Sequence, residues 1–318
     1  MFFKKLMIWI IIITVLISLS SNSWFIYWLM MEMNMMSFIP LMNNYKLKNL
    51  NAMITYFVVQ AFSSSLFFIS AFQYNMMQIE FFLFLINVSI LIKLGMIPFH
   101  LWLISISEML HFNSILILLT MQKIIPLLIA EKFMNNSLIP LFTMSTFFAA
   151  FLAMKHKLMK KILIFSSISH QGWILCLLVK KFNFWIAYLM LYFIIFFNII
   201  KIFNKHSIIF FSDFMKKKMK TEIKIKMIML MMSLGGMPPF LGFFMKIVSI
   251  YLLMSLNLIF IFMLILSSLL NLFFYMRMII PLFFINLKFF TWNNIFLNKN
   301  IYMNMNLIIL IILVYMYM

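Results

Sequence analysis

Apolar residues run through this sequence in long stretches broken by short polar turns. Each stretch is about twenty residues long, the length a helix needs to cross a bilayer. The runs are continuous and do not alternate at period two, which argues against a barrel of strands. The pattern predicts an all-α, polytopic membrane protein with about eleven transmembrane helices. They fall near 6–21, 24–42, 51–72, 79–102, 111–130, 137–154, 161–179, 183–203, 226–246, 248–276 and 302–318. Connections are short except 204–225 and 277–301. The opening Met1-Phe2-Phe3-Lys4-Lys5 has the outline of a signal peptide, but the cleavage pattern at Ser18-Leu19-Ser20 is weak. We read the first run as a spanning helix.

Composition agrees. Hydrophobic residues make up 66% of 318 and charged residues 10%, against roughly 25% charged in a soluble domain. Too little polar surface exists to coat a globule in water. The single cysteine, Cys176, excludes an intrachain disulfide and any multi-cysteine metal or iron–sulfur site. The five histidines form no HExxH pattern, and no glycine-rich nucleotide loop is present. The 35 Met and 41 Phe suggest a very A+T-rich genome and a code that reads an isoleucine codon as methionine, as in a mitochondrial gene.

The net charge is +19. A basic balance often signals nucleic acid, but no soluble domain carries a basic face here, so nucleic acid is not an expected partner. The cations sort by side instead. Connections on the side of the N-terminus hold Lys46, Lys48, Lys155, Lys157, Lys160, Lys161, Lys201, Lys205, the 216–226 cluster, Arg277, Lys288 and Lys299. The opposite side holds Lys132, Lys180 and Lys181. By the positive-inside rule the N-terminus lies on the matrix or cytoplasmic side and the C-terminus opposite.

Lys93, Lys123 and Lys246 belong to neither flank, because each lies within or at the end of an apolar run. An ionisable group in hydrocarbon costs a few kcal/mol on the mildest scales and faces a bundle interior, water or a partner. A desolvated lysine can release its proton, which makes it a plausible donor and acceptor. Glu32 is the acidic complement in the second span, with no basic residue within a helical turn. A Glu hydrogen-bonded to a neighbouring helix without proton traffic is the alternative reading. His170 stands in Ser166-Ser167-Ile168-Ser169-His170-Gln171-Gly172-Trp173. Such a face can line a hydrated path or serve only interhelical hydrogen bonds.

Two motifs should break helices. In Lys93-Leu94-Gly95-Met96-Ile97-Pro98-Phe99-His100, Pro98 lacks an N–H, so the carbonyl of Leu94 should lose its partner while Gly95 admits close backbone approach. In Leu234-Gly235-Gly236-Met237-Pro238-Pro239-Phe240-Leu241-Gly242, the prolines should free the carbonyls of Leu234 and Gly235. Lys246 follows Pro239 by seven residues, about 10 Å along a helix. Each motif alone could be a kink beside a snorkelling lysine. Their placement in spans four and nine gives opposite orientations. The chain then divides into a first five-helix unit, 1–131, an inverted second unit, 132–285, and a loop with a C-terminal helix, 286–318. Paired interrupted helices in corresponding positions mark ion pathways. The lysine precedes the break in one half and follows it in the other.

Lys93–His100 with Leu101-Trp102, Gln122-Lys123, Ser166–Trp173 and Gly235–Lys246 occur in an order and spacing that resemble the NADH dehydrogenase subunit 2 family of complex I, in its short animal-mitochondrial form. The likeness covers most of the chain and weakens after about residue 250. It implies an antiporter-like fold in the mitochondrial inner membrane and a lateral chain of buried charges. Glu32, Lys93, Lys123 and Lys246 match the family's charged positions, with His170 a further relay candidate. It also implies other membrane-arm subunits, lipids and protons as partners. No cofactor is expected in this chain; NADH, flavin, iron–sulfur clusters and ubiquinone would sit in other subunits. Where the family shows a Pro-Glu pair, this chain reads Ile104-Ser105, with Glu108 a turn later, so an altered loop is expected there. A free-standing cation/proton antiporter and an inactive structural spacer remain as alternatives.

Overall fold

The computed structural model describes residues 2–43, 47–216 and 221–286. These residues form helices and one isolated antiparallel bridge, Leu158 to Phe210. Spans one to three become α1 (Phe2–Ser20), α2 (Trp24–Met42) and α3 (Leu47–Met77). The fourth is interrupted, as α4 (Glu80–Leu94) and α5 (Leu101–Met109). The fifth is interrupted too, as α6 (Phe112–Leu119) and α7 (Met121–Phe133). Then follow α8 (Ile139–Ala153), α9 (Met159–Val179) and α10 (Phe184–His206). After the short α11 (Asp213–Lys216) come α12 (Thr221–Gly235), α13 (Leu241–Leu252) and α14 (Leu258–Asn286). The predicted eleventh span, 302–318, lies outside the described residues. Eight helices among the described residues are long and apolar enough to cross a membrane by length and composition.

Hydroxyl side chains bond back onto their own helices. Thr14, Ser18, Ser37, Ser63, Ser89, Ser166 and Ser249 each donate to a carbonyl three residues earlier. That satisfies a polar group without water, as apolar surroundings require. α9 is the axis of the fold. Every residue from Ile162 to Val179 is buried, and the helix contacts α5, α6 and α7 as well as α8, α10, α13 and α14. α1, α3 and α14 expose large apolar side chains along much of their length.

Four expectations need correcting. The boundary drawn between spans nine and ten, at 246–248, falls inside α13; the chain turns at Leu253–Ser255 instead, one helical turn and more past Lys246. The first break falls just after Lys93, as the motif predicts, but Gly95 rather than Pro98 stops the helix at Leu94. α4 ends there because Gly95, with φ 66°, takes the left-handed C-cap conformation. Its N–H donates to Ile92 O, and Met96 N–H donates to Leu91 O. Third, the fifth span carries a break the sequence reading did not anticipate. Thr120 departs from helix at φ −113° and ψ −83°, just upstream of Gln122, whose carbonyl has lost the N–H of Pro126.

Both anticipated breaks share one local backbone. Gly95-Met96-Ile97-Pro98-Phe99 and Gly236-Met237-Pro238-Pro239-Phe240 each start with a positive-φ glycine, and in each the peptide bond before the last proline is cis. In each, the residue after the glycine donates back five residues, Met96 to Leu91 O and Met237 to Met232 O. The residues 104–105, expected in an altered loop, lie within helix α5.

Candidate functional site

α2 carries Glu32, half-buried against α3, where Ser64 Oγ donates to its carboxylate. Two residues on, Asn34 is buried and accepts at Oδ1 from Gln122 Nε2, 3.0 Å away on α7. The same Nε2 lies 3.3 Å from the Asn34 carbonyl. Tyr56 of α3 donates its hydroxyl to Gln122 Oε1 at 3.0 Å. α2, α3 and α7 are thereby joined through one side-chain amide.

Lys93 sits buried in the last turn of α4, the carbonyl end of the helix, where the dipole favours a cation. Trp102 closes the break behind it: the indole Nε1 donates to Ile92 O at 3.1 Å. Glu32 acts electrostatically on both Lys93 and Tyr56. Replacing Trp102 by Phe keeps the ring and loses that donor. Ile92 O still accepts from Gly95, so the expected loss is about 1 kcal/mol, seen as lower thermal stability of the purified assembly without loss of assembly.

Lys93 and Lys123 line the same cavity, together with Tyr56, Gln60, Trp102, Leu103, Leu118 and Gln122. Its volume is about 10 Å³, at the lower limit for one water molecule. Lys123 is brought there by the restart of the helix after Thr120, and its Nζ donates to Ser167 Oγ of α9 at 3.1 Å.

From Ser167 the polar face of α9 continues through Ser169, His170 and Gln171, all buried. Asn271 of α14 donates to Ser169 Oγ at 2.9 Å. His170 Nδ1 lies 2.9 Å from the Tyr188 hydroxyl, and its ring rests 5.1 Å from that of Tyr192. Lys246 and Lys123 both act on His170 electrostatically. Lys246 reaches back from α13 and donates to Gly235 O, the last residue of α12, at 2.7 Å. Its aliphatic chain lies against Gly236, where a Cβ would meet it at 2.9 Å.

The structure therefore brings Lys93 and Lys123 to one cavity and Lys123 to Ser167 of α9, while Glu32 accepts from Ser64, His170 lies beside Tyr188 and Lys246 donates to Gly235 O. The sequence reading passed over Asn34, Tyr56, Gln60, Tyr188, Tyr192 and Asn271. A buried amide or hydroxyl in an apolar run is the signal that could have found them.

At the mouth of α5 and α9, Glu108 forms an ion pair with Lys161, and Lys160 donates to the Leu110 carbonyl. His156 stacks flat on Phe165, with centroids 5.2 Å apart. Burial and the Lys161 charge hold His156 below the usual imidazole range; Glu108 opposes them and Lys155 adds to them. Protonation of His156 in the fold therefore needs a lower pH than in the unfolded chain, so its contribution is lost as pH falls. The Glu108 pair is solvent-exposed on the carboxylate side. Glu108→Gln should change thermal stability by under about 1 kcal/mol, measured on the purified assembly.

Residues 21–272 match the family described as NADH:quinone oxidoreductase/Mrp antiporter, TM. The chain is 62% identical over 309 residues to NADH-ubiquinone oxidoreductase chain 2 of Rhipicephalus sanguineus, covering 97% of this chain and 99% of that one. It is 35% identical to the protein of the same name from Anopheles gambiae, over 89% of this chain and 87% of that one. A chain of respiratory complex I from Thermus thermophilus superposes with a TM-score of 0.81 at 17% identity, covering 89% of this chain and 71% of its own length. A chain of the Mrp complex from Dietzia sp. DQ12-45-1b gives 0.76 at 16% identity, covering 86% and 59%. With 97% of its length matched at 62% identity and the broken helices in place, the chain belongs to the NADH-ubiquinone oxidoreductase chain 2 family.

Proposed function

We propose that this chain is the antiporter-like, proton-translocating subunit 2 of NADH:ubiquinone oxidoreductase in the mitochondrial inner membrane. The observation that carries the reading is the shared cavity: two buried lysines on separate helices face one small polar space. Redox energy released in other subunits, which hold the NADH, flavin, clusters and quinone sites, shifts charge on Glu32 and Lys93. Coulomb coupling in an interior of low dielectric is strong enough to pass that change to a neighbour. Proton affinity then alternates at Lys123, His170 and Lys246 in turn. The hydroxyls of Ser167 and Tyr188 stand within hydrogen-bond distance of Lys123 and His170 respectively.

The repeated Gly-Met-x-Pro-Phe break supports two inverted units, 1–131 and 132–285. The lysine distribution supports an N-terminus in the matrix and a C-terminus in the intermembrane space. The test is co-migration. Native membranes solubilised in mild detergent are separated by size, and the fractions are assayed for NADH:quinone activity. The chain is expected to travel with that activity in a very large assembly. Migration alone, or as a small oligomer without the activity, would discard the reading and promote a free-standing cation/proton antiporter.

A further inference from the structure

The cavity between Lys93 and Lys123 has a wall that can move. Leu103 and Leu118 are held by their helices and the apolar core. Trp102 is pinned by its indole hydrogen bond to Ile92 O. Lys93 and Lys123 are the groups to be connected. Of the remaining lining residues, Tyr56, Gln60 and Gln122, the Gln122 side chain is the one tied at two ends to other helices: Oε1 to the Tyr56 hydroxyl and Nε2 to Asn34. An amide offers one acceptor oxygen and two donor hydrogens, so its orientation is fixed by those partners. Tyr56 is itself braced, with its ring 5.1 Å from Phe38 and 6.3 Å from Trp102. The space left over is about 10 Å³, while a proton passing between two amines that do not touch needs at least one bridging water with polar partners.

We propose that Tyr56, Gln122 and Asn34 form a gate between Lys93 and Lys123. In the latched state the amide of Gln122 is turned to Tyr56 and Asn34, and the cavity, at the lower limit for a single water, holds no connected chain of waters. Release of the amide from Asn34 swings it out of the cavity wall and admits the water that joins the two lysines. Asn34 lies two residues from Glu32 on α2, and Glu32 acts electrostatically on Tyr56. The latch is thus attached to the helix that receives the first charge change. Tyr56, Gln122 and Asn34 are positioning residues; the lysines carry the proton. The gate rests on the relay reading given above.

The experiment uses the assembled complex in liposomes and measures passive proton leak at rest and protons moved per NADH oxidised. Tyr56→Phe keeps the ring and removes the latch hydroxyl. Resting leak should rise several-fold and the number of protons moved per NADH oxidised should fall. Gln122→Met, of similar length but without the amide, should do the same and serves if the tyrosine variant assembles poorly. Adding Lys123→Met to either variant should remove the extra leak. Unchanged leak in both single variants, or extra leak that survives Lys123→Met, would overturn the gate. If Lys123→Met alone leaves proton yield intact, the relay reading itself fails, which is a separate result.

Discussion

Lys123→Met is expected to lower proton transfer coupled to quinone reduction by about a hundredfold or more, the scale of losing a positioned proton carrier. Methionine is unbranched and flexible like lysine and only one atom shorter, so the side chain fills nearly the same space. Removing a buried ammonium also removes a desolvation cost, so folding and assembly should survive. What is lost is, among the described residues, the only titratable group that both lines the Lys93 cavity and bonds α9 at Ser167. Serine cannot stand in, because it does not hold an excess proton near neutral pH. Lys123→Arg separates charge from proton exchange: guanidinium remains charged throughout the working range, so this variant should also fail. Proton yield per NADH in liposomes is the measurement. Normal yield in Lys123→Met would leave the chain as a structural spacer.

Gly242→Ala should have the largest effect on assembly. Gly242 lies on the buried face of α13, and a Cβ there would meet the Ser233 carbonyl oxygen of α12 at 1.7 Å. The obstacle is backbone, so no rotamer change relieves it. α12 and α13 would have to separate. Overpacking commonly costs about 1–3 kcal/mol and sometimes more, and a backbone clash belongs at or above the upper end. The separation would also pull Lys246 from Gly235 O, since the donor is on α13 and the acceptor ends α12. The expected result is a marked fall in assembled complex on native gels, with lost proton yield in whatever remains. Assembly at the level of the unaltered protein would show that the two half-helices do not pack as closely as described.

Much of this arrangement was legible because membrane helices announce themselves by length and because charges in apolar runs are conspicuous. Glu32, Lys93, Lys123 and Lys246 needed no structure to be selected. The division of α13 from α14 was misplaced because Lys246 looked like a polar end to a span. It is instead an interior residue whose amine folds back onto Gly235. The interruption at Thr120 was missed for another reason: threonine is an ordinary helix residue, and the weakness lies in Pro126, six positions on. Neutral partners were the hardest to see. Tyr56 and Asn34 could be picked out as polar groups in apolar runs, but their meeting at the amide of Gln122 exists only because folding places α2, α3 and α7 around it.

The asymmetry noticed in the sequence also dissolves in three dimensions. Lys93 precedes its break and Lys246 follows its own, yet Lys93 occupies the last turn of α4 and the Lys246 amine rests on the last residue of α12. Each lysine is thus tied to the carbonyl end of the leading half-helix, Lys93 by its place in the chain and Lys246 by its hydrogen bond, and that end of a helix dipole favours positive charge.

Burial of α9 leaves a practical opportunity. Cys176, the chain's one cysteine, lies on that helix with no exposed surface. Thiol reagents arriving from water or lipid have no route to it while the fold is intact. The natural chain therefore already serves as a silent background for site-directed labelling. A cysteine installed at Leu103 or Leu118, which line the lysine cavity and are themselves buried, would react only as the cavity opens. The rate at which a small maleimide modifies it, with and without turnover, would clock the cavity opening directly.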